Sequence, residues 1–189
     1  MRLSKQLFSA ICGLALSSFI ATIAIADTVR LKMAGTYPAN HFGHKIVTDM
    51  IKEIEDAGVG VKITYFPASQ LGSGEELVED AIRGNVDLVQ AFIYAQADPR
   101  LEIMNLPGLV TTFEELKSVY ANPKSKLNTI LGGIMEDLGL VYLANTGEGL
   151  IGIVAAKKPT DYAGFGDKGV NIRVWSSEVA KKTTESLGY

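Results

Sequence analysis

The sequence predicts an α/β fold with a mostly parallel sheet covered by helices, on three observations. Strand-like and helix-like stretches alternate from residue 28 onward, the order that gives parallel pairing with helices on both faces. Two capping boxes, Ser73-Gly74-Glu75-Glu76 and Thr112-Phe113-Glu114-Glu115, mark helix starts. No internal repeat and no low-complexity run interrupts the order.

Taken in order, Thr28 to Ala34 alternates and reads as a first strand, followed by a loop over residues 35–38. A helix begins near Asn40, with Ile46, Val47, Met50, Ile51 and Ile54 on one face and Gly58 closing it. Val59 to Phe66 is a second strand ended by Pro67. The first capping box opens a helix with Leu77, Val78, Ala81 and Ile82 as its apolar face, stopped by Gly84. Val86 to Phe92 is an apolar run of strand length, and Leu101 to Leu106 a short extended segment ended by Pro107. The second box starts a short helix that Pro123 terminates. A further helix runs from about Ser125 to Leu138, with Leu127, Ile130, Leu131, Ile134, Met135 and Leu138 toward the core. Gly132 and Gly133 weaken it by roughly 1 kcal/mol each relative to Ala. Leu140 to Asn145 and Leu150 to Ala156 read as strands around a Thr146–Gly149 turn, and residues 159–167 as a loop.

The functional reading centres on residues 169–188. Val170 to Trp175 mixes β-branched and aromatic residues and reads as a strand. Ser176 or Ser177 then caps a helix whose narrow apolar face is Val179, Thr183 and Leu187, with Gly188 at its C′ position. Arg173 would stand near the C-terminal end of a strand, where open α/β sheets bind ligands. Its guanidinium offers a planar fork to a carboxylate. An edge-strand arginine paired with a surface carboxylate is the alternative.

Composition narrows the rest. Arg2 and Lys5, the apolar stretch Leu7 to Ile25 and the Ala24-Ile25-Ala26 end form a secretory signal peptide over residues 1–26, expected to be cleaved before Asp27. An uncleaved membrane anchor is the rival. The single cysteine, Cys12, lies in that leader, so the mature chain has no disulfide, thiolate metal site or cysteine nucleophile. Its context does not suit a lipoprotein signal. The whole chain carries a net charge of −3, and losing Arg2 and Lys5 makes the remainder more acidic. Such a chain is a poor nucleic-acid binder. His41 and His44 stand three apart in a first helical turn but lack nearby partners for a metal. Capping, surface exposure or a ligand contact by one of them all fit. No G-x-S-x-G, phosphate loop or H-E-x-x-H is present. No enzyme, cofactor or metal is expected.

The residues Phe66-Pro67-Ala68-Ser69-Gln70-Leu71-Gly72, then Glu75 or Glu76, then Gly84-Asn85-Val86-Asp87 resemble the signature of substrate-binding proteins of TRAP transporters, the DctP type. Asn105-Leu106-Pro107 and Lys168-Gly169-Val170-Asn171-Ile172-Arg173-Val174 are similar to later motifs of that family. The resemblance implies a periplasmic binding protein of type II-like fold whose two lobes close on an organic acid by hinge motion. It implies delivery to the membrane subunits of a TRAP permease, and a monomer is expected. Lobe one would span residues 27–148 and an incomplete lobe two residues 149–189, so the chain resembles a C-terminally truncated member and should bind weakly or not at all.

In the family the arginine of the Ile172-Arg173 position clamps the ligand carboxylate. Where many members carry a second arginine, this chain has Ile151, which favours a smaller or more apolar acid. The resemblance as a whole implies an organic acid as ligand, a C4-dicarboxylate or related carboxylate. Trp175 could form an apolar pocket wall. Strand-end position adds Tyr37, His41, Phe92, Tyr94 and Glu148 as candidate cleft residues. A sensor or interaction module reusing the fold, or a remnant that binds nothing, are the alternatives. A neighbouring permease gene would favour transport, and a histidine kinase gene sensing.

Overall fold

The computed structural model describes residues 28–92 and 95–189; the segment expected to be a signal peptide and Tyr94 lie outside the described residues. Strand β1 (Val29–Gly35) leads through helix α1 (Phe42–Asp56) to strand β2 (Val61–Phe66). Helix α2 (Gly74–Ile82) then leads to strand β3 (Leu88–Gln90). The sheet order is β2-β1-β3. Both ladders are parallel, with Val29 opposite Val61 on one side and Met33 opposite Leu88 on the other. The predicted fold class is therefore what the chain adopts.

Alternation along β1 divides its residues between two cores. Met33 faces α1 and packs with Tyr37, Val47 and Ile63. Ala34 faces α2 and packs with Leu77 and Val86. The capping boxes form as expected: Ser73 and Glu76 exchange hydrogen bonds at the start of α2, and Thr112 and Glu115 at the start of α3 (Phe113–Leu116). A π-turn over Lys117–Ala121 extends α3. Helix α4 (Lys126–Asp137), capped by Ser125, then completes a third core of Leu101, Leu127, Leu131, Ile134 and Met135. Helix α5 (Glu178–Ser186) is capped by Ser177. Gly188 follows it with φ +88°, where a Cβ would meet the Gly166 carbonyl oxygen at 2.0 Å. Glycine is required there on both counts.

Several expectations are corrected. Ile46, Met50, Ile82 and Ile130 are exposed, because the buried stripes of their helices are narrower than the apolar ones. Residues 101–106 are not extended: Pro99–Asn105 is a 3₁₀-helix, started by Pro99 and by the Asp98 carboxylate accepting from the Arg100 N–H. The third strand is only three residues long. The expected strands at 140–145, 150–156 and 170–174 are not strands. Strand propensity is a fit to a pleated neighbour, and among the described residues none pairs with them. Leu140 and Tyr142 pack on the third core while Val141 and Leu143 face outward, so the period-2 pattern persists without a ladder. Arg173 accordingly lies in an unpaired stretch before α5 and not at a strand end.

Candidate functional site

The three parallel strands end together, and the polar groups gathered there form the candidate site. At the end of β3 the Gln90 Oε1 accepts from the Thr36 and Tyr37 N–H groups, at 3.0 and 3.3 Å. This fixes the loop that leaves β1. The loop leaving β2 is fastened to the same place, with Ala68 N–H donating to the Tyr37 carbonyl and Ser69 N–H to that of Gly35. Ala68 and Ser69 hold φ of +54° and +57°, a left-handed pair that costs of order 1–3 kcal/mol per residue and persists only where surrounding bonds enforce it. Within the Phe66–Gly72 motif, this is what the Pro-Ala-Ser segment does.

Tyr37 is the centre of the site. It is 5% exposed, and its ring presses on Gly43, where a Cβ would come within 2.5 Å of the ring carbon Cε2. His41 stacks on the other side of the group, centroids 4.6 Å apart and planes 15° apart. The His41 Nδ1 accepts from the Gly43 N–H and caps α1. The Tyr37 hydroxyl donates to Glu148 Oε1 and lies 3.2 Å from the Thr146 hydroxyl. Burial pushes the Tyr37 hydroxyl up to about 12; the Glu148 bond adds to this, and the Thr146 bond opposes it. Beside it the Tyr65 hydroxyl and His44 Nδ1 are buried without a hydrogen-bond partner among the described residues. Burial raises Tyr65 above its ordinary value.

Three of the seven residues predicted from sequence thus come together: Tyr37, His41 and Glu148. Phe92 is exposed beyond β3, and Tyr94 is outside the described residues. Arg173 is exposed and makes no hydrogen bond or ion pair among the described residues. Trp175 joins a different network. Its indole N–H donates to Asn105 Oδ1 at 3.0 Å, Asn105 donates to Glu102, and Glu102 accepts from the Ser177 hydroxyl at 2.6 Å and the Glu178 N–H at 2.8 Å. Burial pushes the Glu102 carboxyl up, but these bonds together outweigh it and leave it below its ordinary value. Lys168, 2% exposed, gives its ammonium to the carbonyls of Asp161 and Gly164 and so organises the loop before Arg173.

Sequence reasoning missed Thr146, Gln90 and Tyr65. A glutamine ending an apolar strand was the available signal for Gln90; nothing local marked the other two. Among the described residues no group of three or more His, Cys, Asp or Glu could hold a metal, and no helix is long and apolar enough to cross a membrane. Two surface depressions, one lined by Ile103, Leu109 and Ile130, the other by Tyr120, Asn128, Tyr142 and Asn145, lie along α4 and do not include Tyr37.

With the geometry in place, residues 33–189 match bacterial extracellular solute-binding protein family 7. The chain belongs to that family. Its members are solute-binding proteins and not enzymes. The Salmonella typhimurium protein YiiZ is 31% identical over 150 residues, covering 71% of this chain and 41% of the relative. A solute-binding protein of Albidiferax ferrireducens is 26% identical over 148 residues, covering 74% and 43%. Among solved structures, a TRAP periplasmic solute-binding protein from Citrobacter koseri with bound D-glucuronate superposes with a TM-score of 0.66 at 23% identity, covering 84% of this chain and 53% of that one. One from Polaromonas sp. JS666 bound to D-erythronate gives 0.63 at 22%, covering 85% and 52%. The chain therefore spans about half the length of these relatives, and the solved structures share its fold.

Proposed function

We propose that this chain belongs to a periplasmic receptor that captures an organic acid for a TRAP-type secondary transporter. Residues 1–26 would direct export and be removed. Residues 27–148 would form lobe one, and residues 149–189 would begin lobe two. The observation that carries the reading is the polar cluster of Tyr37, His41, Thr146 and Glu148 at the C-terminal ends of the parallel strands, where open α/β sheets hold ligands. Arg173, a guanidinium with its donors free among the described residues, would grip the carboxylate once the lobes close. The family relatives bound to D-glucuronate and D-erythronate support a carboxylate ligand. A C4-dicarboxylate or related carboxylate is the finer reading, and the permease membrane subunits are the proposed partner.

Ligand-observed NMR at millimolar solute tests this with the whole chain, a regime that detects weak as well as tight binding. Saturation transfer to at least one carboxylate, lost in Arg173→Ala, is the expected result. Transfer that persists in Arg173→Ala removes the assigned anchor, and no transfer to any acid removes the receptor reading.

A further inference from the structure

The Glu148 carboxylate is held in an unusual electrostatic position for the site of an anion receptor. One oxygen, Oε1, accepts from the Tyr37 hydroxyl. Among the described residues no hydrogen bond reaches Oε2, and no lysine or arginine lies within ion-pair distance of the group. The neighbouring His41 turns its Nδ1 to the Gly43 N–H and makes no hydrogen bond to the carboxylate among the described residues. Tyr37 itself stays protonated, with its hydroxyl pushed up to about 12. The polar cluster at the strand ends therefore presents an exposed carboxylate with an open acceptor oxygen and, among the described residues, no cationic side chain paired with it. The tyrosine bond holds that carboxylate against a side chain whose ring is locked between Gly43 and His41.

A solute that is anionic throughout meets repulsion here. A dicarboxylate would need a cation for each end, and Arg173 is the one cationic side chain assigned to the site. Arg173 and Glu148 together sum to zero charge, and charge complementarity decides which solutes are rejected. We propose that the solute carries a cationic amino group beside its carboxylate, as an α-amino acid or close analogue does, with Glu148 Oε2 taking the ammonium and Arg173 the carboxylate. This rests on the receptor reading above and narrows its ligand class. An ammonium gives Oε2 a charge-assisted hydrogen bond. A hydroxyl at the same carbon gives only a neutral-donor bond and brings no opposite charge to Oε2.

The test uses matched pairs that differ in one group: 2-aminobutyrate against 2-hydroxybutyrate and phenylalanine against phenyllactate, with succinate as the dicarboxylate. Each is titrated by ligand-observed NMR into the whole chain and into Glu148→Gln, whose circular dichroism checks that it is folded. In at least one pair the amino acid is expected to bind ten times or more tighter than its hydroxy acid, and tighter than succinate. Glu148→Gln should bring the ratio within that pair close to one. If a hydroxy acid or succinate binds as well as or better than the amino acids and loses binding in Arg173→Ala, the amino-group inference is overturned while the receptor reading stands. A preference for the amino acid that survives Glu148→Gln overturns the role of Glu148. If neither these solutes nor any other carboxylate binds, both readings fall.

Discussion

Two regions of this chain have similar strand-forming sequences and opposite outcomes. Val29–Gly35 is flanked on both edges by parallel neighbours and divides its side chains between two cores. Leu150 to Ala156 is at least as rich in β-branched residues, yet it carries no ladder and leaves Ile151 and Val154 exposed at 82% and 94%. The difference lies in partners. A strand's N–H and C=O groups need a neighbour, and the helices α1 and α2 return the chain beside β1, whereas nothing described runs beside 150–156. Two long-range ties bind the later region to the earlier one: Tyr37 to Glu148, and the Glu102–Asn105 pair to Ser177 and Trp175.

Substitutions that attack each region and each tie should separate them. The largest effect is expected at Leu131, fully buried in the third core. Leu131→Ala should cost about 3 kcal/mol in urea unfolding, and a loss under about 1 kcal/mol would mean that this core is not formed. Gly43→Ala comes next. Its new methyl would meet the Tyr37 ring, displace it and cost about 2 kcal/mol through overpacking, with the Tyr37–Glu148 tie lost at the same time.

The second tie is weaker. Glu102→Ala removes the acceptor at the start of α5 and should cost about 1 kcal/mol. It should also shift the emission of Trp175, the only tryptophan in the chain. Because Glu102 is held below its ordinary value of 4.5, its contribution is present above that pH and lost as pH falls through the lower folded value. The Trp175 emission should change over that acid range in the wild type and not in Glu102→Ala.

Tyr37→Phe keeps the ring and should cost about 1 kcal/mol for the lost hydrogen bonds. Tyr37 is raised from 10.0 to about 12, so its contribution is complete below pH 10 and disappears as pH climbs toward 12; the mutant should lack that part of the alkaline loss of stability. The smallest effect is expected at Val154→Thr, within about 0.5 kcal/mol. A larger loss there would show that 150–156 pairs in solution after all, and would erase the contrast.

How much was legible follows the same division. The βαβ order, the caps at Ser73, Thr112 and Ser177 and the Gly188 terminus could be read because each is a local pattern with a local cause. Tyr37, His41 and Glu148 could be nominated from their places at element ends. Thr146 and Tyr65 could not, since they enter the site only through contacts between distant parts of the chain. The strands at 140–145, 150–156 and 170–174 were misread for the converse reason: their residue types are right, but pairing is a property of two segments and a sequence window contains one. The left-handed Ala68 and Ser69 were also invisible, because neither residue type announces that geometry and only the bonds to Tyr37 and Gly35 impose it.

The central position of β1 has a consequence for how the molecule forms. Among the described strands the earliest to be made is the one that needs two neighbours, and the contact between Lys32 and Asp87 closes across 55 residues. The Tyr37 hydroxyl waits longer still, for a carboxylate 111 residues away. Ordering such distant pieces is slow compared with local helix growth. During that interval the nascent β1 offers two open edges, so anything that holds the early chain apart from its siblings will raise the yield of folded protein more than it alters the finished structure.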